Sequence, residues 1–68
     1  MNAIHEARAM KGQAQPLHNA GDHDAEVAVL NEALKILYQA YDDANGNPAE
    51  QQLIAAEQTK VVAMLRKG

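Results

Sequence analysis

The segment Ala44-Asn45-Gly46-Asn47-Pro48 restricts the fold most narrowly, because it combines signals that end one helix with signals that begin another. Gly46 suits the left-handed residue that follows a helix C-terminus. Asn47 is a favoured N-cap, and Pro48 suits the first helical position, where its missing N–H would have had no partner. Glu50 follows Asn47 by three residues, as in a capping box. The segment therefore predicts a tight turn between two helices.

The helices on either side of this turn are predicted over about 24–44 and 48–67, as an antiparallel hairpin. No stretch of the chain shows the strict alternation of a strand bounded by turns, so the predicted fold class is all-α. The 68 residues form a single helical domain, 1–68, with a small core, and the absence of cysteine leaves no disulfide to support it. We therefore expect a small helical bundle completed by oligomerisation.

The N-terminal third contains an additional helix whose extent the sequence leaves open. Its apolar residues recur at helical spacing, but Gly12 and Pro16 interrupt them. A proline inside a helix removes a hydrogen bond and clashes with the carbonyl four residues earlier, which costs about 3 kcal/mol. One interpretation is a helix over 2–12 followed by a short turn at 16–20. The other is a single Pro-kinked helix over about 2–19.

The central helix is apolar over an arc roughly 180° wide, at about 100° per residue. One neighbouring helix covers about half of such an arc, so the central helix should contact at least two others. The second neighbour is either the N-terminal helix, in a three-helix core, or a partner subunit, with a dimer as the first expectation. The arc consists of two adjacent stripes: Val27, Leu30, Leu34, Leu37, Tyr41 and Ala44, and beside them Val29, Ala33, Ile36 and Ala40.

Glu57 falls within the apolar face of the last helix, where a carboxylate must be paired or must line a groove. In a hairpin that turns near residues 45–46, Glu57 comes level with Lys35. The first interpretation is therefore a Lys35–Glu57 ion pair across the hairpin. The second is that both residues belong to a ligand or partner site.

Two tyrosines are the candidate anchors of an interface. Tyr38 lies at the edge of the apolar arc of the central helix, and Tyr41 lies in the arc itself. Tyrosines at such edges are often ordinary amphipathic packing, but they are also typical of protein–protein interfaces. The predicted partner-binding residues are thus Tyr38, Tyr41, Lys35 and Glu57.

The residue inventory argues against catalysis. The chain has no cysteine and no serine, and Thr59 is its sole hydroxyl besides the tyrosines. His18, Asp22, His23 and Asp24 cluster near the first break, but their spacing matches no closed zinc module. We expect no enzyme activity, no metal and no cofactor.

Charge and hydropathy exclude two further classes of partner. Six Lys and Arg against nine Asp and Glu give a net charge of −3, which is unlike the basic footprint of a nucleic-acid binder. No apolar run approaches the roughly 18 residues of a membrane span. We expect neither nucleic acid nor membrane as a partner, and a cytoplasmic location.

Residues 21–34 resemble the turn and second helix of a tetratricopeptide repeat, with Gly21-Asp22 and Ala33-Leu34 at matching offsets. Glu26 stands where that family has a small alanine, and one repeat cannot bury its own face. In size and hairpin layout the chain is also similar to small chaperones of type III secretion needles and to helical counter-defence proteins of phages. These likenesses rest on helix-hairpin layout and not on a shared motif.

The functional expectation is a small non-enzymatic helical module that covers the surface of a partner protein, as an inhibitor, adaptor or chaperone does. An alternative is an oligomeric sponge for a small anionic ligand such as a nucleotide, held by Arg8, Lys11, Lys60 and Arg66. A third possibility is a three-helix structural subunit of a larger complex.

Overall fold

A computed structural model describes residues 3–67, which form three α-helices: α1 (Ala3–Asn19), α2 (His23–Asp43) and α3 (Pro48–Lys67). No strand occurs among these residues, so the all-α prediction is confirmed, and the predicted hairpin of α2 and α3 lies within one residue of its expected bounds. α2 is central. α1 packs along it most extensively, α3 packs along it less, and α1 and α3 contact each other only slightly.

α1 continues as one helix through Pro16, so the alternative of a helix ending at residue 12 is wrong. The proline stands one turn before the helix ends at Asn19, where few intrahelical bonds remain to be lost. Its missing N–H is the one that would have donated to the carbonyl of Gly12. The Pro16 carbonyl still accepts a 2.9 Å hydrogen bond from the Ala20 N–H.

The turn between α1 and α2 consists of two helix caps, one at the end of α1 and one at the start of α2, and Asp22 belongs to both. Gly21 has φ +76°, and its N–H donates to the His18 carbonyl at 3.1 Å. The N–H of Asp22 donates to the Leu17 carbonyl at 2.9 Å, which completes a Schellman motif. The Asp22 carboxylate then accepts the N–H of Ala25 at 3.3 Å and caps α2. The end of α1 and the start of α2 are therefore fixed together.

The second turn has the predicted chemistry. Gly46 has φ +92°, and the Asn47 side-chain oxygen accepts the N–H of Glu50 at 3.3 Å. The N–H of Asn47 donates to the Ala44 carbonyl at 2.8 Å. Pro48 is the first residue of α3, as expected.

The core of the bundle includes residues from both stripes predicted on α2. Leu30, Ala33 and Leu37 are fully buried, whereas Tyr41 remains 39 % exposed. α1 and α3 cover the middle of the arc within one chain, whereas Leu34, Ile36 and Tyr41 remain half-buried or exposed. The fully or almost fully buried apolar residues are Ala7, Ala14, Leu30, Ala33, Leu37, Ile54 and Val61.

Candidate functional site

Glu57 is buried in the core face of α3, between Ile54 and Val61, with 2 % of its side chain exposed. Three cations surround its carboxylate. Lys11 Nζ lies 2.9 Å from Oε2, Arg8 Nε lies 3.6 Å from Oε1, and Lys60 Nζ lies 3.5 Å from Oε1. The Lys11 contact is an ion pair without hydrogen-bond alignment, since Oε2 accepts no hydrogen bond. The predicted burial of Glu57 is confirmed, and the site that neutralises it is an ion cluster between α1 and α3.

The charge of Glu57 is stabilised by this cluster. Burial by itself would raise the pKa of the carboxyl, but the ammonium of Lys11 and then that of Lys60 outweigh it, and the pKa lies below its ordinary value of 4.5. Lys11 is the best-shielded cation, with 20 % of its side chain exposed, whereas Arg8 and Lys60 are mostly exposed. Glu57 is therefore ionised at neutral pH, and Lys11 is its principal partner.

The predicted Lys35–Glu57 ion pair is wrong. Lys35 is exposed and makes no ion pair among residues 3–67. The two residues are level along the hairpin, but Lys35 lies about 140° around α2 from the buried Leu30 and therefore on its outer side. The position of the turn determines which residues of two paired helices are level with each other. The direction in which each side chain points depends on which face of its helix is buried. Lys11, on the side of α1 that meets α3, takes the place expected for Lys35.

This cluster also involves residues expected to bind an anion. Arg8, Lys11 and Lys60 already surround the carboxylate of Glu57, so any anionic ligand would have to compete with it. Arg66, the fourth residue of that set, lies elsewhere, in a depression that it shares with Tyr38. The four cations are therefore not brought together around one open site.

Tyr38 is the most exposed aromatic side chain of residues 3–67, at 55 %. It lies between two shallow depressions. One lies between α2 and α3 and is lined by Thr59, Val62 and Arg66 among others. The second follows α2 itself and reaches the N-terminal turn of α1. The predicted position of Tyr38 beside the core, and not within it, is confirmed.

The second depression, with Tyr38 at its edge, is here called the Tyr38 surface. Its apolar part is half-buried except for Tyr38 itself, and its charged part is exposed. The charged part has four carboxylates and one ammonium, and none of them makes an ion pair within residues 3–67. The Tyr38 surface comprises the apolar Leu34, Ile36, Tyr38 and Ala40 with the charged Glu6, Glu32, Lys35, Asp42 and Asp43.

Tyr41 does not line the Tyr38 surface. Its backbone carbonyl accepts a 3.2 Å hydrogen bond from the side-chain amide of Gln51, which ties α2 to α3 near their turn. The predicted partner-binding residues are thus separated. Tyr38 and Lys35 share one surface, Tyr41 lies near the second turn, and Glu57 is in the core.

A second buried carboxylate was not predicted. Glu26 is 4 % exposed at the start of α2, and His18 Nδ1 lies 3.2 Å from both of its carboxylate oxygens. His23 Nδ1 lies 3.9 Å from Oε1. A carboxylate only accepts hydrogen bonds, so the hydrogen lies on Nδ1 of His18. The spacing of Glu26 from Leu30, Ala33 and Leu37 is the core spacing of α2, and that pattern was the signal available in the sequence.

Two further properties bear on the class of site. Within residues 3–67, no three His, Asp or Glu side chains are placed so that they could hold a metal ion. Across the same range, no helix combines the length and apolar character needed to cross a membrane.

No protein-family profile, curated protein sequence or solved structure matches the chain.

Proposed function

We propose that the protein is a non-enzymatic helical module that binds a partner protein through the Tyr38 surface. The observation that carries this proposal is the 55 % exposure of Tyr38 beside half-buried Leu34, which lies one helical turn before it on α2. Aromatic residues that project from a rigid apolar surface are frequent anchors of interfaces. Such a module would act by covering a surface of its partner, as an inhibitor, adaptor or chaperone does.

The rigidity of α2 supports this role. Leu30 and Leu37, on the opposite side of the helix from Lys35, are fully buried, so the core holds the backbone that presents Tyr38. Both ends of α2 are also held by capped turns. Presenting an anchor on a rigid helix reduces the entropy lost on binding.

The sponge for a small anionic ligand has less support, because Arg8, Lys11 and Lys60 already contact Glu57. It predicts that nucleotides raise the melting temperature, since a ligand that binds the native state stabilises it. We expect no such rise. A rise at ligand concentrations below millimolar would favour the sponge over the protein-binding module.

The experiment that tests the proposal is a comparison of three baits in a lysate of the source organism. The parent chain should retain a protein that Tyr38→Ala fails to retain. Leu53→Ala is the matched control, because Leu53 is 60 % exposed and is not part of the Tyr38 surface. We expect Tyr38→Ala to weaken binding of the retained protein by roughly 1–2 kcal/mol or more. Circular dichroism should show both variants folded.

Equal retention by the parent and the Tyr38→Ala bait would contradict the proposal. Leu37→Ala is unsuitable as a probe of binding, because deleting a fully buried leucine typically costs about 2–5 kcal/mol, close to the whole stability of a domain of this size.

A further inference from the structure

We infer that the partner presents an acidic amphipathic helix to the depression between α2 and α3, here called the α2–α3 groove. This inference rests on the proposed function, because Tyr38 is the anchor in both. It specifies on which side of Tyr38 the partner lies and which charge the partner carries. The residues that line the α2–α3 groove are Tyr38, Gln58, Thr59, Val62, Ala63 and Arg66.

The direction of the Tyr38 side chain places its ring beside this groove. Long side chains of a helix point back toward its N-terminus, so the Tyr38 ring lies over the turn that contains Leu34 and Lys35. At about 100° per residue, half-buried Leu34 lies about 40° from Tyr38 toward the core, and exposed Lys35 lies about 60° from it in the opposite direction. The ring therefore has an apolar neighbour on the core side and a cation on the other.

The α3 wall of the groove faces away from α1. Glu57, whose ion cluster meets α1, lies about 140° around α3 from Val62 and about 180° from Arg66. Val62 is half-buried, whereas Thr59, Ala63 and Arg66 are exposed. α1 therefore leaves this wall accessible.

The cations on the two sides of Tyr38 are unpaired. Lys35 is an i, i+3 neighbour of Tyr38 on α2, and Arg66 lies on the α3 wall. Neither makes an ion pair within residues 3–67, and none of the residues that line the groove carries a carboxylate. Complementary charge speeds encounter and excludes wrong partners. Carboxylates on both edges of the partner's apolar stripe would therefore meet a cation on each side.

The carboxylates of α2 lie outside the groove. Glu32 and Asp43 are about 120° and 140° around α2 from Tyr38 and face away from it. Asp42 is one turn beyond Tyr38, on the side that the ring leaves uncovered. Asp24 is in the first turn of α2, about 21 Å before Tyr38 along the helix. The charges that flank Tyr38 within the groove are therefore the two cations.

The shape of the groove fits a helix. Its two walls are antiparallel helices, and each presents residues at i, i+3, i+4 and i+7, the spacing of one helical face. Ridges of a third helix can pack between two such faces. The partner helix would lie along the pair, with its apolar stripe on Tyr38 and Val62. The two faces consist of Asn31, Leu34, Lys35 and Tyr38 on α2, and of Thr59, Val62, Ala63 and Arg66 on α3.

A second copy of this chain does not match the groove in charge. A two-fold contact places the same patch on both sides. Lys35 and Arg66 of one copy would then face the same two cations of the other, and no residue that lines either groove supplies a carboxylate. The occupant that the charges select is therefore a different, acidic protein.

The test uses two designed peptides as probes, each about four helical turns long with leucine along one face. One carries glutamate at the edges of that face and the other carries lysine. Their binding to the full chain is followed by fluorescence anisotropy at low salt. The Leu/Glu peptide should bind at least about fivefold more tightly than the Leu/Lys peptide. The net charge of −3 predicts the reverse order, so equal or reversed affinities would overturn the inference.

Two adjacent residues of α3 supply a matched pair of variants. Arg66 lines the α2–α3 groove, whereas Lys67 lines a separate depression that it shares with His18 of α1. Arg66→Glu should weaken binding of the Leu/Glu peptide about fivefold, and Lys67→Glu should change it less than about twofold. Lys35→Glu should act like Arg66→Glu. Circular dichroism should show all three variants folded, and equal effects of Arg66→Glu and Lys67→Glu would overturn the inference.

Failure of the inference differs from failure of the proposed function. If Tyr38→Ala loses the protein retained from lysate while Arg66→Glu keeps it, Tyr38 binds a partner that is not acidic, and only the inference fails. If light scattering shows that Tyr38→Ala converts a dimer into a monomer, a second copy occupies the groove and the inference fails. If Tyr38→Ala keeps the retained protein, both proposals fail.

Discussion

Removal of the Lys11 ammonium is the most informative single perturbation of this protein. Lys11→Met keeps the aliphatic stem of the side chain and removes the cation 2.9 Å from the buried Glu57 carboxylate. Removing one partner of a buried ion pair typically costs 3–5 kcal/mol. Arg8 and Lys60 remain at 3.6 and 3.5 Å and partly compensate, so we expect a loss of about 2–3 kcal/mol in the free energy of unfolding.

The double-mutant cycle with Glu57→Gln isolates the pair. Glu57→Gln keeps the volume and loses the charge, and we expect it to cost about 1–2 kcal/mol. In the double variant no unpaired carboxylate remains, so its cost should be close to that of Glu57→Gln alone. The resulting coupling energy is about 2–3 kcal/mol, well above the 0.3–0.5 kcal/mol scatter of roughly additive pairs. Urea denaturation followed by circular dichroism measures all four corners.

Lys35→Met is the matched control, because Lys35 is level with Glu57 but exposed on the outer side of α2. Its effects should add to those of Glu57→Gln within about 0.5 kcal/mol. Coupling of Glu57 to Lys35 and not to Lys11 would refute the assignment of the ion cluster to α1 and α3.

The burial of the ionised Glu57 also predicts how the free energy of unfolding depends on pH. The pKa of Glu57 is lower in the folded chain than its ordinary value of 4.5. A group with a depressed folded pKa contributes stability above its unfolded pKa, and this contribution is lost as pH falls through the folded value. The stability difference between the parent and Glu57→Gln should therefore be constant above about pH 5 and shrink below pH 4.5. A difference that stays unchanged as pH falls below 4.5 would show that it does not arise from the carboxylate charge.

Gly12→Ala should raise the free energy of unfolding by about 0.5–1 kcal/mol, because a Cβ there meets no atom within 4 Å and alanine favours the helix interior. Gly46→Ala should instead lower it by about 1 kcal/mol, since φ is +92° there; thermal melts of the two variants should move in opposite directions. Self-association remains a prediction, and light scattering should give at least twice 7.4 kDa. A monomeric parent would reject self-association.

The local elements of this fold could be predicted from short stretches of sequence. The turn at Gly46-Asn47-Pro48 and the helices beside it follow from backbone preferences of a few adjacent residues, and these preferences act without knowledge of the rest of the chain. Burial of Glu57 also followed from helical periodicity, since its place between Ile54 and Val61 is a property of one helix. The continuation of α1 through Pro16 did not follow, because proline disfavours it locally and the burial of Ala7 and Ala14 in the core, which favours it, is a tertiary interaction.

Contacts between the helices could not be predicted in this way. Glu57 pairs with Lys11 and not with Lys35, because α1 occupies the side of α3 on which that carboxylate points. Glu26 contacts His18 because the Schellman turn places the end of α1 next to the start of α2. The physical reason is that periodicity fixes which residues share a face, whereas the partner of each face depends on how three helices arrange themselves to bury their apolar surface together.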